Sequence, residues 1–388
     1  MSSAKGASLT DLRTLNSTTV FHAIRLNAPI SRAQLSREVG LTRPTISSAL
    51  VTLKQAGLIR ESQPIPDQPH YGATYFEMVP EVAYFVAAEV DGMRVRLVLG
   101  NAAGRRLATR DSYRAVTRPE QLVTHLADSA HEICAEAGLP LSHISMLVVG
   151  VPATVRPDTG LLRSRSFSLL DQYAFGPALC QQLSKPVVVD SDVNLAAVGE
   201  QSHGAAVGVK DFAYLNMGNR VATGIVLDNQ VWRGAHGSAG DIGEHEPELG
   251  VAAFVRLAGQ LMQGRRVGFG PTPTAVFDAA IRGDVVARQI ITEHAARIAD
   301  SIAATCRVLD LDLVVLGGTI GHRCKPILNR IKNLLRDRIA FPPELAASPL
   351  TASAVRTGAC TVGAREAMEL VTPGLLAKAM RTQDRAGL

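Results

Sequence analysis

Residues 31–60, SRAQLSREVGLTRPTISSALVTLKQAGLIR, decide how the rest of the chain is read. Ser31 stands where a helix N-cap belongs, and Gln34 three residues on completes a capping box. Leu35 and Val39, four apart, give that helix an apolar stripe. Gly40 supplies the left-handed conformation that a sharp turn requires. Thr42 then caps a second helix, with Pro44 in its first turn, where a missing N–H costs little. Ile46, Leu50 and Leu53 recur at helical spacing and are expected to face inward. That turns Thr42, Arg43, Thr45, Ser47 and Ser48 outward near the N-terminal end, the end of a helix-turn-helix that meets base edges and phosphates in the major groove. An ordinary helical hairpin with a polar outer face is the competing reading. The agreement of two caps, one glycine and the apolar spacing favours double-stranded DNA as a partner.

Outward from this segment, a helix is expected over Leu9–Leu26, ending before Asn27-Ala28-Pro29. Downstream, Leu58–Arg60 begins a strand and Thr74–Met78 returns, with SQPIPDQPHYGA (62–73) as a flexible tip. Two strands beside a helix-turn-helix make a wing, whose candidate DNA contacts are Arg60, His70 and Tyr71; a plain linker is the alternative. Residues 1–80 carry eight Lys/Arg against five Asp/Glu, a net +3 of the chain's overall +5. The basic excess therefore concentrates in the segment expected to meet a polyanion.

The chain has 388 residues, 46% of them hydrophobic, enough for two or three domains with full cores. Its five cysteines are scattered singly, without metal-ligand or redox-motif spacing, and read as buried reduced thiols of a cytoplasmic, nucleoid-associated protein. No 18-residue apolar run and no N-terminal apolar h-region occur, so neither a membrane span nor a secretory signal is expected. After Pro80, apolar runs and helical patterns alternate. Ala83–Glu89, Val95–Leu99, Ile144–Val149 and Pro186–Val189 read as strands, with Pro119–Ala137 and Ala178–Leu183 as helices. A second cycle follows from Phe212–Leu215 to Leu313–Leu316, with long helices over Val251–Met262 and Val285–Leu309. Alternation of this kind is α/β architecture, here as two similar lobes around a cleft. The expected division is a DNA-binding domain over 1–80, a first lobe over 81–195, and a second lobe with the C-terminal helices over 196–388.

Four segments in order give a resemblance. GVPATVRPDTG (150–160), VVVDSDVNLAAVGE (187–200), RGAHGSAGDIGE (233–244) and LVVLGGTI (313–320) resemble conserved-type motifs of the ROK family of repressors, open reading frames and sugar kinases. A winged helix on such a body resembles its repressor branch. The resemblance implies an actin-like or hexokinase-like (ribonuclease H-like) two-lobed body and a sugar site in the cleft. It maps that site onto Ser191, Asp192, Asn194, Asp241 and Glu244, with His236 in the neighbouring glycine-rich loop. Asp192 matches the kinases' general base, and a carboxylate can also hold two sugar hydroxyls without any chemistry. Ser191, Asp241 and Glu244 stand where the family pattern has Asn, Glu and His, so the pocket is acidic but re-cut, suited to another sugar, an amino sugar, or none.

The nucleotide site departs further. Glu89-Val90-Asp91-Gly92-Met93 replaces a D-x-G-G-T phosphate loop, and Gly218-Asn219-Arg220-Val221-Ala222 replaces G-T-G-I-G. Phosphate loops need bare backbone N–H groups and little negative charge. Only Gly317-Gly318 keeps its pattern, so ATP binding and kinase activity are expected to be lost. The family's zinc cysteines have no counterpart between Cys180 and Cys306, and neither metal nor other cofactor is expected. A metal site from His236, Glu244, His245, Glu246 and Glu248 is the lesser alternative to a solvated acidic loop.

The leading expectation is a transcription regulator of carbohydrate metabolism, a repressor acting as a homodimer or larger homo-oligomer. Its two recognition helices would lie about 34 Å apart on a palindromic operator, and a sugar or sugar-derivative effector in the cleft would control it. A sugar kinase with an appended DNA-binding head, and a regulator with a dead pocket, are the alternatives.

Overall fold

A computed structural model describes residues 9–63, 73–164, 167–243 and 247–386. The head consists of α1 (Leu9–Asn27), β1 (Ile30–Ser31), α2 (Arg32–Val39), α3 (Arg43–Gln55), β2 (Ile59–Ser62) and β3 (Tyr75–Met78). Its small antiparallel sheet has the order β1-β3-β2, with Ile30 opposite Phe76 and Ile59 opposite Met78. Val20, Ile24, Leu35, Ile46 and Leu53 are fully buried and form the head's core. The inward spacing read in the sequence is thus the observed packing. β1 was not anticipated, because two residues are too few to show a period.

The body is built twice on one plan. In the first lobe β4 (Tyr84–Asp91), β5 (Arg94–Asn101) and β6 (Arg106–Tyr113) form a meander. Then α4 (Pro119–Glu136) leads to β7 (Ile144–Val151), the short hairpin β8 (Thr154–Val155) and β9 (Leu162–Arg163), α5 (Phe175–Leu183) and β10 (Val187–Ser191). The sheet order is β10-β7-β4-β5-β6, with β10, β7 and β4 parallel. Apart from Ser145, every residue of β7 is buried, the signature of a strand covered on both faces.

After α6 (Asp192–His203), the second lobe repeats the scheme. β11 (Phe212–Met217), β12 (Val221–Leu227) and β13 (Gln230–Val231) form its meander. Then come α7 (Val251–Met262), α8 (Pro273–Ile281), α9 (Val285–Leu309), β14 (Leu313–Gly317), α10 (Gly318–Gly321), α11 (Leu328–Arg336) and β15 (Glu344–Ala347). The order is β13-β12-β11-β14-β15, with β11, β14 and β15 parallel.

The last helix, α12 (Ala354–Ala386), corrects the expected division of the chain. The C-terminal residues were assigned to the second lobe, but α12 lies along α6 and across β4 and β7 of the first. Ala359, Met368 and Leu376 share one core with Phe85, Ala87, Met146 and Val148, and that core runs on into the head. The opposite face of this sheet is covered by α4 and α5, so only the α12 side was open. At 33 residues α12 is about 50 Å long and reaches α3. There Thr52 Oγ1 donates to Gln383 Oε1 at 3.4 Å. The pairing of α6 with α12 rests on two facing glycines: a β-carbon on Gly199 would stand 3.1 Å from the Gly358 nitrogen, and one on Gly358 2.9 Å from the Gly199 nitrogen. Four cysteines are buried as expected, while Cys180 is exposed on α5. Among the described residues no helix is long and apolar enough to cross a membrane.

Candidate DNA interface and interlobe cleft

The head's local geometry follows its sequence closely. The Gln34 nitrogen donates to Ser31 Oγ at 3.4 Å and the Ser31 nitrogen to Gln34 Oε1 at 2.9 Å, a complete capping box. Gly40 ends α2 at φ +67°, left-handed, a conformation that side chains rarely adopt. Thr42 Oγ1 then accepts from the Thr45 nitrogen at 3.4 Å and starts α3. Thr42, Arg43 and Ser48 are exposed, with Thr45 and Ser47 half-buried beside them. The Arg43 guanidinium has no hydrogen-bond or ion-pair partner among the described residues. A free cation, hydroxyls and a helix N-terminus on one convex edge are the groups that hold phosphate and read bases. Arg60 is differently placed: its Nε donates to Glu77 Oε1 at 2.7 Å across the wing strands, so its charge is already matched. His70 and Tyr71 lie outside the described residues.

The interlobe cleft has a volume of about 470 Å³, in the range of small-molecule sites. The junction of β10 and α6 places three consecutive polar residues, Asp190, Ser191 and Asp192, beside the cleft, and Asp192 lines it. Asp190, buried, accepts from Asn194 Nδ2 at 2.8 Å and from Arg233 Nη2 at 2.6 Å. Asn194, expected to touch ligand, donates its Nδ2 to Asp190 here. Asp192 opens α6, its Oδ1 accepting from the Val193 nitrogen at 2.9 Å. The same oxygen accepts from Arg220 Nη1 at 2.7 Å. Arg220 Nη1 also reaches Ser191 Oγ at 3.3 Å, and its Nη2 donates to Asp241 Oδ1 at 3.3 Å. Thr154 Oγ1 completes the set by donating to Asp241 Oδ2 at 2.9 Å.

The result is a carboxylate–guanidinium–carboxylate triad, with the Arg220 side chain only 11% exposed. Burial pushes the Asp192 carboxyl above the usual range, and Arg220 opposes that shift. Ser191, Asp192 and Asp241, predicted separately, do come together, and the residue that joins them is Arg220. The sequence signal for it was the arginine standing in a segment expected to be glycine-rich; its partner 28 positions away was not legible. His236 is exposed on the loop of Gly234, Gly237 and Gly240 and does not line the cleft. Glu244 lies outside the described residues.

The expected phosphate-loop acids are also engaged. Glu89 Oε2 accepts from Arg356 Nη1 of α12 at 2.7 Å, and its Oε1 lies 3.3 Å from Arg96 Nη1. Arg96 Nη2 reaches Asp91 Oδ2 at 3.1 Å. These carboxylates are thus balanced by the chain's own arginines rather than left to repel an anion. Gly317 and Gly318 pack tightly against Tyr214 and the Met217 backbone, where a β-carbon on Gly318 would stand 2.8 Å from the Met217 nitrogen. The Tyr214 ring at Gly317 and the Met217 backbone at Gly318 leave no room for a β-carbon on either residue.

Two family profiles match the chain, the ROK family over residues 86–369 and a winged helix-turn-helix DNA-binding family over residues 20–60. The chain is 21% identical over 354 residues to the xylose repressor of Caldicellulosiruptor bescii, covering 84% of this chain and 88% of that protein. Among solved structures, a ROK family transcriptional regulator, a homologue of the Escherichia coli Mlc protein, superposes with a TM-score of 0.76 at 20% identity. It covers 95% of this chain and 98% of its own. The ROK hexokinase of Thermus thermophilus superposes with a TM-score of 0.61 at 22% identity over 74% of this chain and 99% of its own.

Proposed function

We propose that this chain, which belongs to the ROK family, is a transcriptional repressor of that family that binds operator DNA through α3 and answers to a sugar or sugar derivative in the interlobe cleft. The observation that carries this reading is the Arg43 edge of α3, unpartnered among the described residues, on a head whose core is continuous with the body. A homodimer would present two such edges to one palindromic site.

The route from cleft to head is short. Asp192 sits at the first turn of α6, α6 packs along α12, and α12 touches α3. Ala354 and Val355 at the start of α12 line the cleft, and Arg356 pairs with Glu89 in its wall. A ligand that takes Asp192 or Asp241 away from Arg220 changes the charge balance at the end of this path. It shifts operator affinity only by its difference in affinity for the two arrangements, typically about 1–3 kcal/mol.

The kinase reading keeps one supporting observation, Asp192 at the family's general-base position. Against it, that carboxylate is bound to an internal guanidinium and the phosphate-loop segments are rebuilt, so we infer that phosphoryl transfer is lost. Fluorescence anisotropy on duplexes selected from a random pool, with Arg43→Ala beside the native chain, tests the repressor reading. Unchanged affinity in the variant sinks the assignment of α3. A sugar panel with ATP tests the second reading, and turnover that disappears in Asp192→Asn restores it.

A further inference from the structure

The C-terminal end of α6 opens on a second cavity, at the seam where head meets body. Its volume is about 1260 Å³, larger than the interlobe cleft. The head supplies His22 and Arg25 from α1 and Arg60 from β2; the body supplies Arg106 from β6, His203 from α6 and Arg365 from α12. Two carboxylates, Glu77 and Glu369, stand among them. Four guanidiniums thus line the seam with two carboxylates, and Glu366 beside Arg365 supplies a third.

The pairing within the cavity is uneven. Arg60 is matched by Glu77 at 2.7 Å, and Arg365 by Glu366 at 2.9 Å. Arg106 has only neutral partners among the described residues, Thr357 Oγ1 at 3.1 Å and the Cys360 thiol. Arg25 is half-buried and makes no hydrogen bond or ion pair among the described residues. Burial lowers its guanidinium from the ordinary value, Glu369 opposes this, and Arg365 adds to it. A guanidinium withdrawn from water without a hydrogen-bonded acceptor is costly, and a charge-assisted bond to an oxyanion is the strongest compensation open to it. Arg25 and Arg106 come from opposite sides of the seam, so one multiply charged ligand could hold both.

We propose that the head–body seam binds a small polyanion, a phosphate-bearing or dicarboxylate molecule, between Arg25 of the head and Arg106 and Arg365 of the body. The site is separate from the interlobe cleft and does not depend on what fills it. Occupancy adds a polar clamp to the core that head and body already share and fixes the direction in which α3 points.

The full chain is titrated with inorganic phosphate and with fructose 1,6-bisphosphate at constant ionic strength, following the melting temperature and binding heat. The expected result is a saturable response, stronger for the bisphosphate. Affinity should fall at least tenfold in Arg25→Gln and in Arg106→Gln and stay unchanged in Asp192→Asn. Arg106 is exposed, so its variant reports even if the Arg25 variant folds poorly. A response only to inorganic phosphate would identify a simple anion site and retain the proposal in that form. No saturation, or a response that survives both substitutions, overturns it. A loss of operator affinity in Arg25→Gln in phosphate-free buffer equal to that of Arg43→Ala assigns the seam to the DNA backbone instead and also overturns it.

Discussion

Replacing Gly358 with alanine sets two opposing effects against each other, and the structure says which wins. Helix propensity alone favours the change: alanine is better than glycine in a helix interior by about 1 kcal/mol. Packing opposes it. The new methyl would fall 2.6 Å from the Leu195 carbonyl carbon and 2.9 Å from the Gly199 nitrogen, both backbone atoms of α6. The Leu195 carbonyl oxygen lies closer still, and carbon contacts settle near 3.5–4.0 Å, so α6 and α12 must part by more than about 1 Å along their crossing. Overpacking of this kind costs about 1–3 kcal/mol. Because the obstructing atoms are backbone, no rotamer change can relieve the clash, so the upper end is expected. The net prediction is a loss of about 1–2 kcal/mol in urea unfolding at unchanged m. Gly374 in the same helix is the internal control: a β-carbon there meets nothing within 4 Å. Gly374→Ala should therefore stabilise by about 0.4–1 kcal/mol. A Gly358→Ala protein as stable as the native one, or equal shifts in the two variants, refutes the close-packed pairing of α6 and α12.

Three further outcomes are expected. Arg220→Ala leaves a buried carboxyl without its cation and should cost on the order of 2–3 kcal/mol at pH 8, tempered by partial hydration of the triad. Asp192 already sits above the usual carboxylate range, so the deficit should shrink on acidification as it takes up a proton; a pH-independent deficit measured by chemical denaturation contradicts the triad. His294 is wholly buried on α9, with neither ring nitrogen hydrogen-bonded and its imidazole pushed down to about 3. Above about pH 6.5 it is neutral in both states and has no effect; between 6.5 and about 3 only the unfolded chain gains the proton, so stability falls with pH, by about 2 kcal/mol at pH 5. His294→Leu should remove that part of the acid sensitivity, seen in melting curves from pH 8 to 5. Operator affinity should fall with salt, and Arg43→Ala should reduce the log–log slope by about 1; an unchanged slope means Arg43 touches no phosphate.

The legible and illegible parts of this chain divide by sequence distance. The caps at Ser31 and Thr42 and the turn at Gly40 are made by residues within a few positions of one another, so the sequence states them directly. The two-lobed body was visible through strand runs and motif order. The triad was half visible. Asp192 and Asp241 could be named from resemblance, but Arg220 became intelligible only when the β11–β12 turn brought it over the start of α6. Asn194 also holds Asp190, a buried carboxylate four positions away, a bond that the motif resemblance did not show. The course of α12 was hidden for another reason: an apolar helix declares that it needs a cover, not which sheet supplies it.

The return of α12 to the first sheet also orders events on the ribosome. Residues 205–350 are continuous and hold the strands and most of the core of the second lobe, so that lobe can close while synthesis proceeds. The first sheet emerges earlier but keeps one face bare until residues 354–386 have been made. Assembly therefore runs against the usual N-to-C order of domain completion. A frameshift near residue 350 would leave a sound second lobe attached to a nascent first lobe that exposes Phe85, Met146 and Val148, a ready substrate for chaperones and proteases.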